Sequence, residues 1–147
     1  MQWLIKFIST GFFIGEKVPA PGTAASIAAA AIYYIFLPVE SAFYWTMLIL
    51  LTFIGVITAG KTEDIKGRID PPEVVIDEIV GFLIAMAFIP KQLSYVILGL
   101  IIFRFLDIVK LYPINKLQVV AGGLGIMLDD IYAGIITNII LRIIIAL

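Results

Sequence analysis

Five acidic residues sit in short motifs beside apolar, helix-length segments: the pair Asp77 and Glu78, then Asp107, then the pair Asp129 and Asp130. Arg104 and Lys110 flank Asp107 at spacings of three, which places all three on one broad helix face. A charge at the bilayer centre costs about 2.5–3.5 kcal/mol on insertion scales. Carboxylates brought close together also raise one another's pKa. They stay ionised together when cations join them. Arg104 and Lys110 supply part of that charge, and a divalent ion would supply more; an all-oxygen set suits Mg²⁺ or Mn²⁺ rather than zinc. Asp77, Glu78, Asp107, Asp129 and Asp130 are therefore the metal-and-base candidates, with Arg104 and Lys110 as phosphate binders. Gly122, Gly123, Gly125, Ala133 and Gly134 surround the last pair and let a backbone or a ligand come close. Glu63, Asp64 and Glu73 read more simply as solvated residues or partners of lysines.

A second candidate is the stretch Ala20-Pro21-Gly22-Thr23-Ala24-Ala25-Ser26. Thr23 is expected to cap the helix that follows, leaving N–H groups that attract phosphate. The small positions Gly22, Ser26 and Ala30 also read as a helix-packing face. Acids, a few cations and a helix N-terminus together suggest phosphoryl chemistry. The chain has no histidine and no cysteine, which removes both as nucleophiles and excludes thiolate metal sites and disulfides. The Asp-x-Asp pattern of aspartyl-phosphate phosphatases is absent. Two mechanisms remain: metal-assisted hydrolysis, or an aspartate nucleophile.

The elements that carry these residues are membrane-like. Hydrophobic residues make up 62% of the 147 and mean hydropathy is +1.11, against about 45–50% apolar residues in soluble domains. The net charge of −1 gives no case for nucleic-acid binding. No cleaved signal peptide is read at the N-terminus. The pattern predicts a single all-α domain over 1–147: a polytopic helical membrane protein with about four to five membrane helices and an N-terminal interfacial helix over Trp3 to Phe13. The longer segments are Thr23 to Leu37, Ala42 to Ala59, Pro71 to Ile89, Leu93 to Leu111 and Leu128 to Leu147. A crossing helix needs about 20 residues, so the first is short for a full crossing. The polar stretch GKTEDIKGRIDPPE interrupts between the second and third. The third has a readable start, with Asp70 as N-cap, Pro71 at the first position and Glu73 completing a capping-box-like pair. That start puts Asp77 and Glu78 in the second turn.

With a cytoplasmic N-terminus and five crossings, Lys6, Lys17, Lys61, Lys66, Arg68, Lys110 and Lys116 lie inside, with Arg104 near that face. Lys91 lies in an outside loop and Arg142 in the last helix. The same arrangement gathers every polar cluster at one face.

The motifs carry a family resemblance. PGT at Pro21 to Thr23, DPPEVVIDEIVG at Asp70 to Gly81, FRFLDIVKLYPI at Phe103 to Ile114 and GGLGIMLDDIYAG at Gly122 to Gly134 resemble those of phosphatidylglycerophosphatase A, a bacterial membrane lipid phosphatase, over nearly the whole chain. The resemblance implies Mg²⁺-dependent hydrolysis of phosphatidylglycerophosphate to phosphatidylglycerol and phosphate, on the cytoplasmic face of the bacterial inner membrane. On this reading Asp77, Asp107 and Asp130 are the catalytic candidates within the metal-and-base set, with ligand and base roles open among them, and Thr23, Arg104 and Lys110 are the candidates to hold the substrate phosphate. Membrane lipids are the expected partners, and a homo-oligomer is compatible with it. Two positions depart from the family pattern: Ala25 replaces a glycine and Leu111 a proline, both affecting backbone shape rather than charge. The main rival is a small transporter or channel subunit using the acids as a cation site. Acids in such a path spread through membrane depth, whereas these cluster at one face. An alcohol phosphotransferase would carry an Asp-Gly-x-x-Ala-Arg signature, which is missing. A non-catalytic assembly protein would not need so many acids beside so many small residues.

Overall fold

The computed structural model describes residues 2–38, 41–109 and 122–147, and among these seven helices and no strand. α1 (Gln2–Ser9) and α2 (Ile14–Lys17) form a short N-terminal pair. Trp3, Phe7, Phe12 and Phe13 stack there into one aromatic cluster, with Trp3 and Phe12 exposed. Then come α3 (Pro21–Phe36), α4 (Ala42–Lys66), α5 (Ile76–Ala85), α6 (Leu93–Val109) and α7 (Gly123–Ala146).

Several boundaries differ from the sequence expectation: the expected N-terminal helix over Trp3 to Phe13 stops at Ser9, where Gly11, Phe12 and Phe13 turn through positive φ, and three further differences bear on the site, each for a local reason. α4 does not stop at Ala59 but runs through the polar stretch to Lys66. Lysine and glutamate are good helix formers, and the stop comes only at Gly67, whose φ of 65° supplies a left-handed cap. α5 does not begin at Pro71. Asp70 adopts φ 48° and its neighbour Glu73 turns back to ion-pair with Lys66 and Arg68 instead of closing a capping box. The helix starts at Ile76, so Asp77 and Glu78 lie in its first turn. α7 starts five residues earlier than expected, at Gly123, which moves Asp129 and Asp130 from the helix start into its second turn.

Contacts set the directions of the bundle. Gly22, at the start of α3, faces Glu78, and the Tyr33 hydroxyl near its end donates to the Met86 and Ile89 carbonyls, both at 3.3 Å. α3 and α5 therefore run in parallel. The Tyr44 hydroxyl donates to the Leu83 carbonyl at 2.5 Å, while Gly60 at the other end of α4 backs onto Gly123. α6 returns so that Gly99 packs on Met86 and Arg104 reaches Glu78. α3, α5 and α7 thus run one way and α4 and α6 the other, with α5 at the centre against all four. Val80, Phe82 and Ala85 of α5 are fully buried.

α4 and α7 are long and apolar enough to cross a bilayer by length and composition. α3 is shorter, and the expected third crossing segment is reduced to α5, whose 10 residues reach only about 15 Å. Ile35, Phe43, Ile49, Phe53, Ile101 and Ile139 point outward from the bundle. The end of α5 leaves carbonyls inside it, and such groups are costly unless paired. They are paired: besides Tyr33 and Tyr44, Asn138 Nδ2 donates to the Ala85 and Ala87 carbonyls at 2.8 and 2.7 Å.

Candidate active site

The N-terminal ends of α3, α5 and α7 meet the C-terminal part of α6 at one end of the bundle. A cavity of about 240 Å³ opens there, lined by Pro21 and Gly22, by Asp70, Pro72 and Val74 of the segment before α5, and by Asp77, Glu78, Asp107, Ile126, Asp129 and Asp130. All five candidate acids therefore face one space, although three helices supply them. Helix N-termini carry partial positive charge, so the first turns of α3 and α5, both at the cavity wall, favour anions there.

Close backbone approach makes the cluster. A Cβ on Gly81 would come within 2.6 Å of the Asp130 carbonyl, and one on Gly134 would strike the Gly81 backbone. Glycine at both positions lets α5 and α7 touch, which sets Asp130 beside Asp77 and Glu78. One oxygen from each of these three carboxylates lies within 4.8 Å of the others. Asp77 and Asp130 are 8% and 2% exposed, so water screens little of their repulsion.

Among the described residues, Arg104 is the cation of the cluster. Its Nη1 lies 2.6 Å from Asp107 Oδ2 and 3.6 Å from Glu78 Oε1. It cancels only part of the local charge, and Asp77 Oδ1 and Glu78 Oε2 are buried without a hydrogen-bond partner. Close, buried, all-oxygen donors with unspent lone pairs could hold a metal ion, and donors of this type suit hard cations.

The expected site residues separate into groups. Asp77, Glu78 and Asp130 form the close trio. Asp107 lines the same cavity but spends one oxygen on Arg104. Asp129, one position from Asp130, also lines an adjoining space of about 260 Å³ with Glu63, Ile69, Asp70, Gly122, Gly125 and Ile126. Thr23 is not the cap of α3: Ala20 is, with no side-chain hydrogen bond, and Pro21 takes the first helical position. Pro21 and Gly22, not Thr23, line the cavity. Lys110 and Lys116 lie outside the described residues. Sequence reasoning missed Asp70 as a cavity residue, because Asp-Pro reads as a helix start. It also missed Asn138, whose signal was a carboxamide in an otherwise apolar run.

A sequence model of the family described as Phosphatidylglycerophosphatase A matches residues 7–145 of the chain. A Bacteroides thetaiotaomicron protein named "Putative phosphatidylinositol-3-phosphatase" is 38% identical, covering 97% of this chain and 94% of its own length. The proteins named phosphatidylglycerophosphatase A from Escherichia coli and Haemophilus influenzae are 37% and 34% identical; they cover 88% and 89% of this chain and 77% and 82% of their own lengths. No solved structure gives a significant match.

Proposed function

The chain belongs to the phosphatidylglycerophosphatase A family, and from that premise we propose that it is a Mg²⁺-dependent lipid phosphatase. Its substrate is phosphatidylglycerophosphate, which it converts to phosphatidylglycerol and inorganic phosphate in phospholipid synthesis. The observation that carries this reading is the single cavity lined by six acids, Asp70 and the five expected ones, beside Arg104 and the N-termini of α3 and α5. Acids gathered at one end of the bundle suit a reaction at a membrane surface better than a cation path through it.

Asp77, Glu78 and Asp130 are the residues that would hold the ion. When bound, Mg²⁺ supplies Lewis-acid polarisation of phosphoryl oxygens and makes water a better nucleophile. The protein's own groups do the rest. Arg104 is held by Asp107 and Glu78 and retains a buried Nε without a partner; it orients the phosphate, aided by Lys110 and by the first turn of α3 at Pro21 and Gly22. Of the cavity acids outside the trio, Asp107 or Asp129 takes a proton from the attacking water. The ester P–O bond breaks as the new P–O bond forms, and the same carboxyl returns that proton to the departing glycerol oxygen.

Residues 1–147 act as one domain, a multi-pass protein of the bacterial cytoplasmic membrane. The chain passes along the bundle five times, which supports five membrane-embedded segments, with α5 completed by its flanking loops. Lys6, Lys17, Lys61, Lys66, Arg68 and Arg104 lie toward the site end and Lys91 and Arg142 toward the other, which supports a cytoplasmic site. The Bacteroides relative favours a second substrate, a phosphoinositide monoester, which presents the same phosphomonoester on a lipid headgroup. Phosphate release by the purified protein from mixed micelles of each lipid tests the choice. Faster turnover of phosphatidylglycerophosphate is expected; preference for phosphatidylinositol 3-phosphate would replace the substrate and keep the chemistry.

A further inference from the structure

α5 and α7 run in the same direction and meet at three successive turns. Asp77, Gly81 and Ala85 are four apart on α5; Asp130, Gly134 and Asn138 are four apart on α7. The carboxylates meet at the first level, the glycine backbones at the second, and Asn138 Nδ2 bonds the Ala85 carbonyl at the third. We infer that Asn138 is a positioning residue that sets the register of α5 against α7, and thereby the spacing of the Asp77, Glu78 and Asp130 carboxylates, from two turns away.

A helix of one residue beyond two and a half turns cannot fix its own place along a neighbour. The glycine contact is flat, so it sets the distance between the axes but does not prevent sliding. Sliding is stopped by groups with direction, and Asn138 is such a group. Its amide bridges the Ala85 and Ala87 carbonyls at 2.8 and 2.7 Å. Arg142 Nε donates to Asn138 Oδ1 at 2.8 Å, which commits Nδ2 to the carbonyls. Arg142 is itself held by the Ala87 carbonyl at 3.4 Å and by the Phe88 ring, 5.3 Å from its centroid. This gives a role to the one cation of the last helix. Tyr44 ties the same end of α5, through Leu83, but from α4, which carries none of the three carboxylates. The two ties are therefore separable. One sets the register of the acids; the other satisfies a carbonyl.

The inference rests on the proposed metal-binding role of the trio, and direct Mn²⁺ binding to the full chain in detergent tests both apart from turnover. The free Mn²⁺ signal is titrated by electron paramagnetic resonance for wild type, Asn138→Ala, Arg142→Met and Tyr44→Phe, with a thermal melt for each. Asn138→Ala should weaken Mn²⁺ binding about tenfold, equivalent to about 1.4 kcal/mol, and Arg142→Met should weaken it less. Tyr44→Phe should lower the melting temperature and keep wild-type affinity. Wild-type affinity in Asn138→Ala overturns the inference, as does equal weakening in Tyr44→Phe. If Asn138→Ala does not fold, Arg142→Met decides by the same criterion. A wild-type protein that binds no Mn²⁺ removes the metal reading itself and this inference with it.

Discussion

Gly22 stands directly against the Glu78 carboxylate. A Cβ on Gly22 would overlap Oε1 and come within 3.0 Å of Arg104 Nη1. The glycine of the first motif is thus the floor on which a site acid rests, and Gly22→Ala must push Glu78 or the start of α3 away. Alanine favours a helix over glycine by up to about 1 kcal/mol, so helix propensity is not lost. The expected result is a fall in kcat of about tenfold or more, equivalent to about 1.4 kcal/mol, in a protein that melts near the wild-type temperature. Steady-state kinetics beside a thermal melt checks both halves.

Asp77→Asn and Asp130→Asn should each lower kcat strongly. An amide keeps the shape and loses the charge that holds a cation, and several kcal/mol of transition-state stabilisation at about 1.4 kcal/mol per tenfold gives a loss of at least about a hundredfold. The metal-free variants should melt no lower than metal-free wild type, because each removes a buried repulsive charge. Near-full activity in either variant takes that residue out of the site.

The response to metal should depend on pH with a defined sign. A bound cation needs the deprotonated carboxylates of Asp77, Glu78 and Asp130, so protons compete with it. The rise in melting temperature on adding Mg²⁺ should therefore be small in mild acid and grow toward neutral and alkaline pH. A shift that shrinks as pH rises would contradict the assignment.

The proposed sidedness is open to single-cysteine labelling, since the chain has no native cysteine. Arg68 is exposed at the site end, whereas Lys66 is partly buried in ion pairs with Glu16 and Glu73 and is a poorer probe. Cysteine at Arg68 should resist an impermeant maleimide in intact spheroplasts and react after lysis; cysteine at Gln92, in the far loop, should react at once. Labelling of the Arg68 position from outside reverses the topology.

The chemistry was more legible in the sequence than the geometry that delivers it. Asp77, Glu78, Asp107, Asp129 and Asp130 stand out because charge beside apolar helix is costly, and all five reach one cavity. Local rules misplaced the ends of helices. Asp70, Pro71 and Glu73 satisfy a capping pattern, yet Arg68 and Lys66, close in space, compete for the Glu73 carboxylate and win it. Thr23 has the chemistry of a cap, but Pro21 two positions earlier already suits the first helical position. The short length of α5 was hidden for a different reason. Its apolar run continues through Met86, Ala87 and Ile89, and the break is sustained by Tyr33, Tyr44 and Asn138, which lie far away in sequence.

The central claim is that the trio, loaded with a divalent cation, hydrolyses a lipid phosphomonoester. Inorganic phosphate released from phosphatidylglycerophosphate by purified protein tests it most directly, for wild type and Asp130→Asn, after EDTA and after readdition of Mg²⁺ or Ca²⁺. Wild type should stop in EDTA, recover with Mg²⁺ and recover poorly with Ca²⁺, whose larger and looser coordination positions phosphate less well; Asp130→Asn should stay inactive throughout. Full turnover by wild type after exhaustive chelation would contradict the account and point to an unassisted aspartate nucleophile.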